Sequence, residues 1–190
     1  MRIALPIGRG VHYPLLKAYF KGDKMQKYEL VGEFEFFGKK FFQIKALISF
    51  GNIKVGELGG FIEKQENLSQ SGNAWVSGDA RVYGDAWVSG DARVSGDARV
   101  YGNARVYGDA RVYGNARVYG DADILWITKI GSRFATLTIF KTKNGFNLTT
   151  GCFLGTFEEF KKQVSLKNKE DNSRKEYEAL YNLISLRFEK

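Results

Sequence analysis

A six-residue repeat runs without insertion from residue 72 to residue 125, and no other feature of the chain constrains its fold as strongly. The nine units read GNAWVS, GDARVY, GDAWVS, GDARVS, GDARVY, GNARVY, GDARVY, GNARVY and GDADIL. A repeat of fixed period indicates an architecture in which similar units stack on one another. A helix is disfavoured, because each glycine would cost about 1 kcal/mol in a helix interior. The segment is therefore predicted to consist of short strands and corners.

Two positions of each unit are predicted to face the core. An aliphatic residue recurs at every sixth position and an alanine stands two places before it, which puts both side chains on one face of a strand. Glycine followed by Asp or Asn fits the corners, because these residues accept positive φ angles. The predicted core positions are Val76, Val82, Val88, Val94, Val100, Val106, Val112, Val118 and Ile124, with Ala74, Ala80, Ala86, Ala92, Ala98, Ala104, Ala110, Ala116 and Ala122.

Three such strands and three corners close one triangular coil, so the nine units make three coils. The pattern resembles the left-handed parallel β-helix of the hexapeptide-repeat superfamily, in which a small residue follows an aliphatic one by four places, as Ala80 follows Val76. The resemblance implies a mainly β chain built on a left-handed parallel β-helix of three regular coils. It implies no particular function, because one fold serves many functions.

Residues eighteen places apart are predicted to stack on three outward faces. The first face is uniform, with like residues one strand separation (~4.8 Å) apart. It carries Arg81, Arg99 and Arg117 beside Tyr83, Tyr101 and Tyr119. The second face carries Trp75, Arg93 and Arg111 beside Ser77, Ser95 and Tyr113, and the third carries Trp87, Arg105 and Asp123 beside Ser89, Tyr107 and Leu125.

The chain before the repeat is predicted to divide into an extension and a β cap. Residues 1–24 match no pattern that follows, and they are either an upstream extension or a short element packed on the core. Residues 25–71 form the N-terminal β cap. Within it, 28–37 and 41–47 alternate as a hairpin around a turn at 38–40. The aromatic face of the hairpin is expected to cover the end of the β-helix, where strand edges and core need covering.

Two apolar residues of the cap extend the repeat backwards. Ile62 and Leu68 stand twelve and six places before Ala74, so they are predicted to point inward in an irregular first coil.

Residues 126–190 are predicted to form a C-terminal α+β lobe. Residues 126–130 form a strand, and 135–142 and 146–152 form a hairpin around the Asn144-Gly145 turn. Two capping boxes indicate helices. Thr156 with Glu159 opens a helix over 157–164, and Ser173 with Glu176 opens one over 174–188, after a charged linker over 167–172.

The basic charge of the chain lies outside the repeat. The net charge of +8 divides into +4 for residues 1–71, −1 for residues 72–125 and +5 for residues 126–190. A moderate basic surplus raises the chance of an acidic partner. We predict a reducing, cytoplasmic location away from membranes. The reasons are that the chain has a single cysteine, no signal-peptide pattern and no apolar run long enough to span a membrane.

The segments that flank the repeat carry a second resemblance. IKALISFGNIKVGELGGFIEKQENLSQSGNAWV and IGSRFATLTIFKTKNGFNLTTGCFLGTFEEF resemble segments that bracket hexapeptide runs in uncharacterised proteins of bacteriophages and prophages. The resemblance covers residues 27–188 and implies an accessory protein of a phage or mobile element. It transfers no catalytic residue.

The sequence contains no set of residues that points to catalysis. Acyltransferases of the hexapeptide-repeat superfamily use a histidine base, but the one histidine here, His12, lies in the extension, and no loop interrupts the coils. One His and one Cys cannot form a zinc site. Cys152 is interpreted as a half-buried strand residue, and the Asp and Asn corners as solvated rather than calcium-binding. We therefore expect no enzyme activity, no metal and no cofactor.

Two groups of residues are candidates for binding. The first is the Arg/Tyr face, which comprises Arg81, Tyr83, Arg99, Tyr101, Arg117 and Tyr119. Arginine and tyrosine in rows can hold phosphates and stack on bases. The alternative is a solvated ladder whose arginines are neutralised by Asp79 and Asp97. The second is the pair Trp75 and Trp87, which mark an interface if the hairpin does not cover them.

These observations favour a non-catalytic phage or prophage protein that binds a host protein, such as an antiviral defence protein of the CRISPR effector kind. A homotrimer or dimer along a flat face is a further expected contact. Three alternatives stay open at this point. The chain can be a structural virion or assembly protein, a sponge for an anionic nucleotide at the Arg/Tyr face, or a vestigial acyltransferase. Nucleic acid is a less favoured partner than protein.

Overall fold

The computed structural model describes residues 20–21, 24–166 and 172–189. The predicted extension therefore lies outside the described residues, apart from a two-stranded antiparallel pair at its end, and so do His12 and residues 167–171 of the predicted linker. The strands of this pair are β1 (Phe20–Lys21) and β2 (Lys24–Met25).

The N-terminal cap is a three-stranded antiparallel arrangement. Its strands are β3 (Tyr28–Phe36), β4 (Lys39–Ala46) and β5 (Leu58–Ile62). The predicted turn at 38–40 is wrong by one residue, because Phe36 pairs with Lys39 and the turn consists of Phe37 and Gly38. Both turn residues have positive φ, 57° and 70°, as a two-residue hairpin turn requires.

The repeat forms a parallel β-solenoid of three turns. Eight of its nine units contribute a two-residue strand, and each strand pairs in parallel with the strand eighteen residues away. The strands are β6 (Trp75–Val76), β7 (Arg81–Val82), β8 (Trp87–Val88), β9 (Arg93–Val94), β10 (Arg99–Val100), β11 (Arg105–Val106), β12 (Arg111–Val112) and β13 (Arg117–Val118).

The predicted core positions are confirmed in all units but the last. From Ala74 to Val118 every predicted alanine and valine is at most 1% exposed. Ile62 and Leu68 are also fully buried and join this core, as predicted. In the ninth unit a 3-10 turn spans Asp121–Asp123, so Ala122 is exposed and its predicted inward position is wrong, while Ile124 is buried.

The cap continues the first face of the solenoid as a single sheet. Six strands lie in the order β13-β10-β7-β5-β4-β3, with β5 parallel to β7 and antiparallel to β4. Tyr28, Ile44 and Ala46 are buried in the solenoid core at this end. The cap therefore covers the N-terminal end of the core, but the prediction that the aromatic face of the hairpin does so is wrong. Phe36 and Phe41 instead pack against Arg81 and Tyr83, on the outward side of the first face.

The C-terminal lobe is an antiparallel sheet with three helices. The sheet order is β14-β15-β16-β17. The elements are β14 (Ile124–Ile130), β15 (Ala135–Thr142), β16 (Gly145–Thr150), β17 (Phe153–Gly155), α1 (Phe157–Ser165), α2 (Asn172–Ala179) and α3 (Tyr181–Phe188).

This sheet separates two hydrophobic cores. Phe140 and Ile124 are buried in the solenoid core, whereas Leu137 and Ile139 on the same sheet belong to the core beneath the helices. Alternation along β15 explains the division, since successive side chains of a strand point to opposite faces. Phe140 therefore closes the C-terminal end of the solenoid from the lobe side.

Three details of the lobe differ from the sequence prediction. Cys152 lies exposed in the turn between β16 and β17, not half-buried in a strand, because β16 ends at Thr150. The predicted helix over 174–188 is interrupted at Leu180. Ser173 lies inside α2 rather than capping it, and the Glu176 carboxylate accepts a hydrogen bond from the backbone N–H of Gly131 at 2.6 Å.

The first predicted capping box is confirmed. The hydroxyl of Thr156 accepts from the backbone N–H of Glu159, and the Glu159 carboxylate accepts from the backbone N–H of Thr156. None of the helices in the described ranges is long and apolar enough to cross a lipid bilayer.

A buried lysine completes the N-terminal cap. The ammonium of Lys27, whose side chain is almost fully buried, donates hydrogen bonds to the carbonyl oxygens of Ala74 at 2.9 Å and Gly72 at 3.4 Å, and lies 5.0 Å from the centroid of the Phe50 ring. These contacts satisfy carbonyl oxygens at the first strand edge of the repeat. Burial and the charge of Arg93 lower the pKa of Lys27 to about 8.

This lysine makes stability depend on pH. Between pH 8 and 10 the unfolded chain holds its Lys27 proton while the folded chain releases it, so the free energy of unfolding is expected to rise with pH, by about 2 kcal/mol from this group. Burial of Tyr28 raises its pKa and opposes the rise above pH 10. The measurement is urea unfolding of the natural protein and of Lys27→Met at several pH values, because other titrating groups cancel in the difference. Parallel curves for the two proteins would contradict the prediction.

Candidate functional site

Two of the three arginines of the first face are covered by the N-terminal hairpin. The guanidinium carbon of Arg81 lies 4.1 Å from the centroid of the Phe36 ring, and that of Arg99 lies 4.0 Å from the centroid of the Phe37 ring. Contacts of this kind are attractive. The Nε atoms of both arginines are buried and have no hydrogen-bond partner among the residues that the structure describes. The hairpin thus occupies the guanidinium faces that a ligand would need at these two positions.

The tyrosines of the first face form a column of their own. Tyr83 stacks on Tyr101 with ring centroids 5.0 Å apart, and Tyr101 meets Tyr119 edge-on at 5.3 Å. Phe41 of β4 packs edge-on against Tyr83 at 5.5 Å. Tyr119, at the far end from the hairpin, is 60% exposed. Most ring surface of this face is therefore used in contacts within the chain.

The predicted neutralisation of the arginines by aspartates takes a different form. Arg81 donates to the backbone carbonyl of Asp79 at 2.9 Å, and Arg117 donates to the backbone carbonyls of Asp97 and Ala116 at 2.9 and 2.7 Å. Burial and the neighbouring Arg99 lower the pKa of Arg117. The structure brings all six residues of the Arg/Tyr face together, and most of their contacts are with one another and with the N-terminal hairpin.

Trp75 is buried, so its assignment as an exposed binding residue is wrong. Its side chain leaves the coil on the outward side, where Phe50 covers it edge-on at 5.4 Å and Tyr28 at 6.4 Å. The side chain is 1% exposed. The loop that follows β4 and the start of the hairpin therefore take the surface that a partner would need.

Trp87 has a different environment, because it lies in an open groove on the third face. It is 40% exposed and pairs in register with Arg105 across β8 and β11. Tyr107, two residues after Arg105 in the chain, is 49% exposed. Its ring meets the ring of Trp126 on β14 at 4.6 Å, nearly perpendicular at 89°. The C-terminal lobe therefore supplies one wall of the groove and the solenoid the other.

The groove has a volume of about 670 Å³, within the size range of ligand-binding clefts. Its lining combines three aromatic rings with two arginines. The lining residues are Trp87, Ser89, Gly90, Arg105, Tyr107, Gly108, Asp121, Ile124, Leu125, Trp126 and Arg187. We call this surface the third-face groove.

Asp121 holds the groove together through its backbone and its carboxylate. Its Oδ1 atom accepts a hydrogen bond from the backbone N–H of Arg105 at 3.0 Å, and its carbonyl oxygen accepts one from the guanidinium of Arg187 at 3.2 Å. No further coil lies above β11, so the backbone N–H of Arg105 has no carbonyl partner in a next strand. The Asp121 carboxylate accepts its hydrogen bond instead. The same residue ties α3 to the solenoid corner.

An adjoining part of α3 extends the exposed apolar surface. Leu183 lies one helical turn before Arg187, which places both on the same side of α3. It is 45% exposed, and Leu186 on the neighbouring side is 73% exposed. Neither leucine belongs to the hydrophobic core of the lobe, and their exposed apolar surface makes this side of α3 a candidate contact surface.

Asp123, which stands where the other repeat units have Arg or Trp, has a structural role. Burial alone would raise its pKa, but hydrogen bonds from Lys141 and from the backbone N–H groups of Tyr119 and Gly120 lower it below the ordinary value. The Lys141 ion pair measures 2.8 Å. Asp123 therefore joins the last corner of the solenoid to β15.

Metal binding and nucleophilic chemistry have little support in the described residues. No group of three His, Cys, Asp or Glu side chains within them is placed to hold a metal ion. Cys152 lines a separate cavity of about 330 Å³ in the C-terminal lobe, beside Arg133, Phe160 and Tyr177. That the chain has no enzyme activity and no cofactor stays a prediction.

Of the groove residues, the sequence singled out Trp87 alone as a candidate. Arg105 and Tyr107 were placed on the third face, but nothing distinguished them from other arginines and tyrosines of the repeat. Trp126 and Arg187 come from β14 and α3, and their position depends on how the lobe packs. The signal available in the sequence is the presence of Trp at the Arg position of the third unit, as in the first unit, together with the third tryptophan, Trp126, directly after the repeat.

Comparison with known proteins concerns the solenoid. A search among curated proteins found no match. A family model described as YdcK Beta solenoid repeat matches residues 74–90, 92–108, 98–112 and 110–122. These residues lie in the strands and corners of the three turns, so the match supports the repeat architecture independently of the structure. Over this segment the chain is similar to a family of β-solenoid repeats.

Proposed function

We propose that the protein is a non-catalytic accessory protein of a bacteriophage or prophage that binds a host protein through the third-face groove. The observation that carries the proposal is the exposed cluster of Trp87, Tyr107, Arg105 and Arg187. Tryptophan, tyrosine and arginine dominate the binding energy of protein interfaces. The solenoid strands fix the backbone positions of Trp87, Arg105 and Tyr107, so little backbone conformational entropy is lost when a partner binds.

The extent of the exposed surface favours a protein over a small ligand. Arg187 of the third-face groove and the exposed Leu183 lie one helical turn apart on α3, and Leu186 adds exposed apolar area on the adjoining side. A small molecule would leave these leucines in water. A protein partner can bury the groove and the helix side together, and the basic net charge of +8 favours a partner of opposite sign.

The phage context comes from the flanking segments, which resemble those of phage and prophage proteins with hexapeptide runs. A protein of this origin acts in the cytoplasm of the bacterial host. An antiviral defence protein, such as a CRISPR effector, is the class of partner that we propose. The Arg/Tyr face receives less weight as a nucleotide site, because Phe36 and Phe37 lie over Arg81 and Arg99.

Affinity capture with matched variants tests the proposal. The natural protein, the double variant Trp87→Ala/Tyr107→Ala and the control Tyr113→Ala are immobilised in parallel and exposed to bacterial lysate. Tyr113 occupies the same position of its repeat unit as Tyr107, but on the second face. We expect one host protein, identified by mass spectrometry and then purified, to bind the natural protein and the control and to lose at least about tenfold in affinity for the double variant.

Two results would contradict this function. A purified partner that binds all three proteins equally would place the contact elsewhere on the chain. Light scattering that shows an oligomer which dissociates in the double variant would assign the groove to self-association instead.

A further inference from the structure

The charges around the third-face groove restrict the chemistry of its occupant. The side chains of Arg105 and Arg187 are exposed, and neither guanidinium forms an ion pair within 4.0 Å with a carboxylate of the described residues. Asp121 is the one carboxylate among the lining residues that the structure describes, and it already accepts the backbone N–H of Arg105. The groove therefore offers two positive groups that have no carboxylate partner among the described residues.

Acidic corners confine this positive charge to the groove. Asp85 lies at the corner before Trp87, and Asp91 and Asp109 lie at the corner after the third face; all three are exposed. Lys64 pairs with Asp85 at 3.0 Å, while the Asp91 carboxylate accepts from the Asn73 amide. An extended polyanion such as single-stranded nucleic acid would follow a longer basic track and would meet the carboxylates of Asp91 and Asp109, which form no ion pair among the described residues. A short acidic group is compatible with the arrangement.

The apolar part of the groove requires more than charge from its occupant. The rings of Trp87, Tyr107 and Trp126 and the side chain of Leu125 are partly exposed beside the two arginines. Free phosphate or a single carboxylate would leave that apolar surface in water. A peptide segment with an apolar side chain flanked by carboxylates satisfies both requirements.

We propose that the third-face groove binds an acidic segment of the partner protein, with carboxylates on Arg105 and Arg187 and a large apolar side chain against the rings of Trp87, Tyr107 and Trp126. This inference rests on the proposed function, because it names the chemistry of the partner at the same site. Guanidinium groups bind carboxylates through two parallel hydrogen bonds, so the geometry suits Glu and Asp side chains. Part of the affinity is electrostatic and is screened by salt.

Designed peptides test the inference without knowledge of the partner. The probe is a fluorescein-labelled twelve-residue peptide of glutamate and leucine, and its controls carry Gln in place of Glu, Ala in place of Leu, or Lys in place of Glu. Fluorescence anisotropy is measured with the full-length protein. We expect the Glu/Leu peptide to bind at least about tenfold more tightly than each control and to weaken as salt is raised from about 50 to 300 mM.

Charge reversal at the groove provides the site-specific readout. Arg105→Glu is expected to weaken binding of the Glu/Leu peptide by about tenfold, because it replaces an attractive charge with a repulsive one. The fold is expected to survive, because no contact of the Arg105 guanidinium holds the fold together. Arg105→Glu/Arg187→Glu is expected to reverse the preference, so that the Lys/Leu peptide binds more tightly than the Glu/Leu peptide. Arg111→Glu on the second face is the matched control and is expected to change neither affinity.

Three outcomes would overturn the inference. The Glu/Leu peptide binds no better than its Gln control, or it binds the Arg105→Glu and Arg111→Glu variants alike, or a labelled oligothymidylate binds at the groove while every acidic peptide fails. If the peptides fail but host-protein capture still depends on Trp87 and Tyr107, the acidic segment is wrong and the proposed function stands. If capture itself is independent of the groove, the proposed function fails.

Discussion

Replacing Phe140 with alanine is expected to lower the free energy of unfolding by about 3–5 kcal/mol, the range typical of a buried phenylalanine. Phe140 is fully buried and is a member of the solenoid core, although it lies on β15 of the C-terminal lobe. It closes the C-terminal end of a core whose repeat positions are filled by small alanine and valine side chains. Its removal leaves a cavity that neither the sheet nor the last coil can fill without moving backbone atoms.

The matched control is Phe134→Ala. Phe134 lies in the turn between β14 and β15 and is 77% exposed, so its removal is expected to change stability by less than about 0.5 kcal/mol. Urea unfolding followed by circular dichroism measures both variants. If Phe140→Ala costs no more than Phe134→Ala, the lobe does not seal the solenoid.

Replacing Gly96 with alanine is expected to cost about 2–5 kcal/mol. Gly96 is at a corner with φ of 72°, where an L side chain costs roughly 1–2 kcal/mol. An added Cβ would also lie 3.0 Å from the backbone nitrogen and 3.1 Å from the Cα of Gly114 in the next coil. Since backbone atoms cannot rotate away, the coils must separate locally, at a further cost of about 1–3 kcal/mol.

Gly114→Ala separates the two contributions. Gly114 lies at the same corner one coil later with φ of 63°, and the nearest atom to its added Cβ is Leu154 Cδ2 at 4.0 Å. This variant is expected to lose only the backbone part, about 1–2 kcal/mol. Equal losses for the two glycines in urea unfolding would show that coil stacking does not restrict the corner.

The sequence was informative wherever the repeat controls the structure. A side chain that recurs every eighteen residues meets its own kind in the next coil, so the burial of the valines and alanines and the stacking of Arg81 on Arg99 follow from periodicity alone. The repeat also explains why the prediction failed at Ala122. There the ninth unit has no further coil above it, and the chain turns through Asp121–Asp123 into β14. The left-handed sense of the coil stays a prediction.

Features that depend on packing between distant segments were not predictable in this way. Trp75 and Trp87 occupy the same position of their units, yet Phe50 and Tyr28 cover one and leave the other open. The third-face groove needs Trp126 and Arg187 as well, and the placement of Arg187 depends on how α3 packs on the lobe. No local pattern in the sequence encodes that packing.

The hairpin turn shows how a tertiary contact changes a local preference. Glycine and two lysines favoured a turn at 38–40, but Phe37 adopts a positive φ that is unusual for an aromatic residue. Its ring lies over the guanidinium of Arg99 on β10, and this contact offsets part of the backbone cost.

The central claim is that the third-face groove, and not the Arg/Tyr face, contacts the partner protein. Site-specific photo-crosslinking tests it most directly. Tyr107 in the groove and Tyr119 on the first face occupy the same position of their repeat units and are 49% and 60% exposed, so each is replaced in turn by a photoreactive phenylalanine derivative and irradiated in bacterial lysate. We expect a covalent adduct with a host protein from position 107 and none from position 119. An adduct from position 119 alone, or equal adducts from both positions, would contradict the claim.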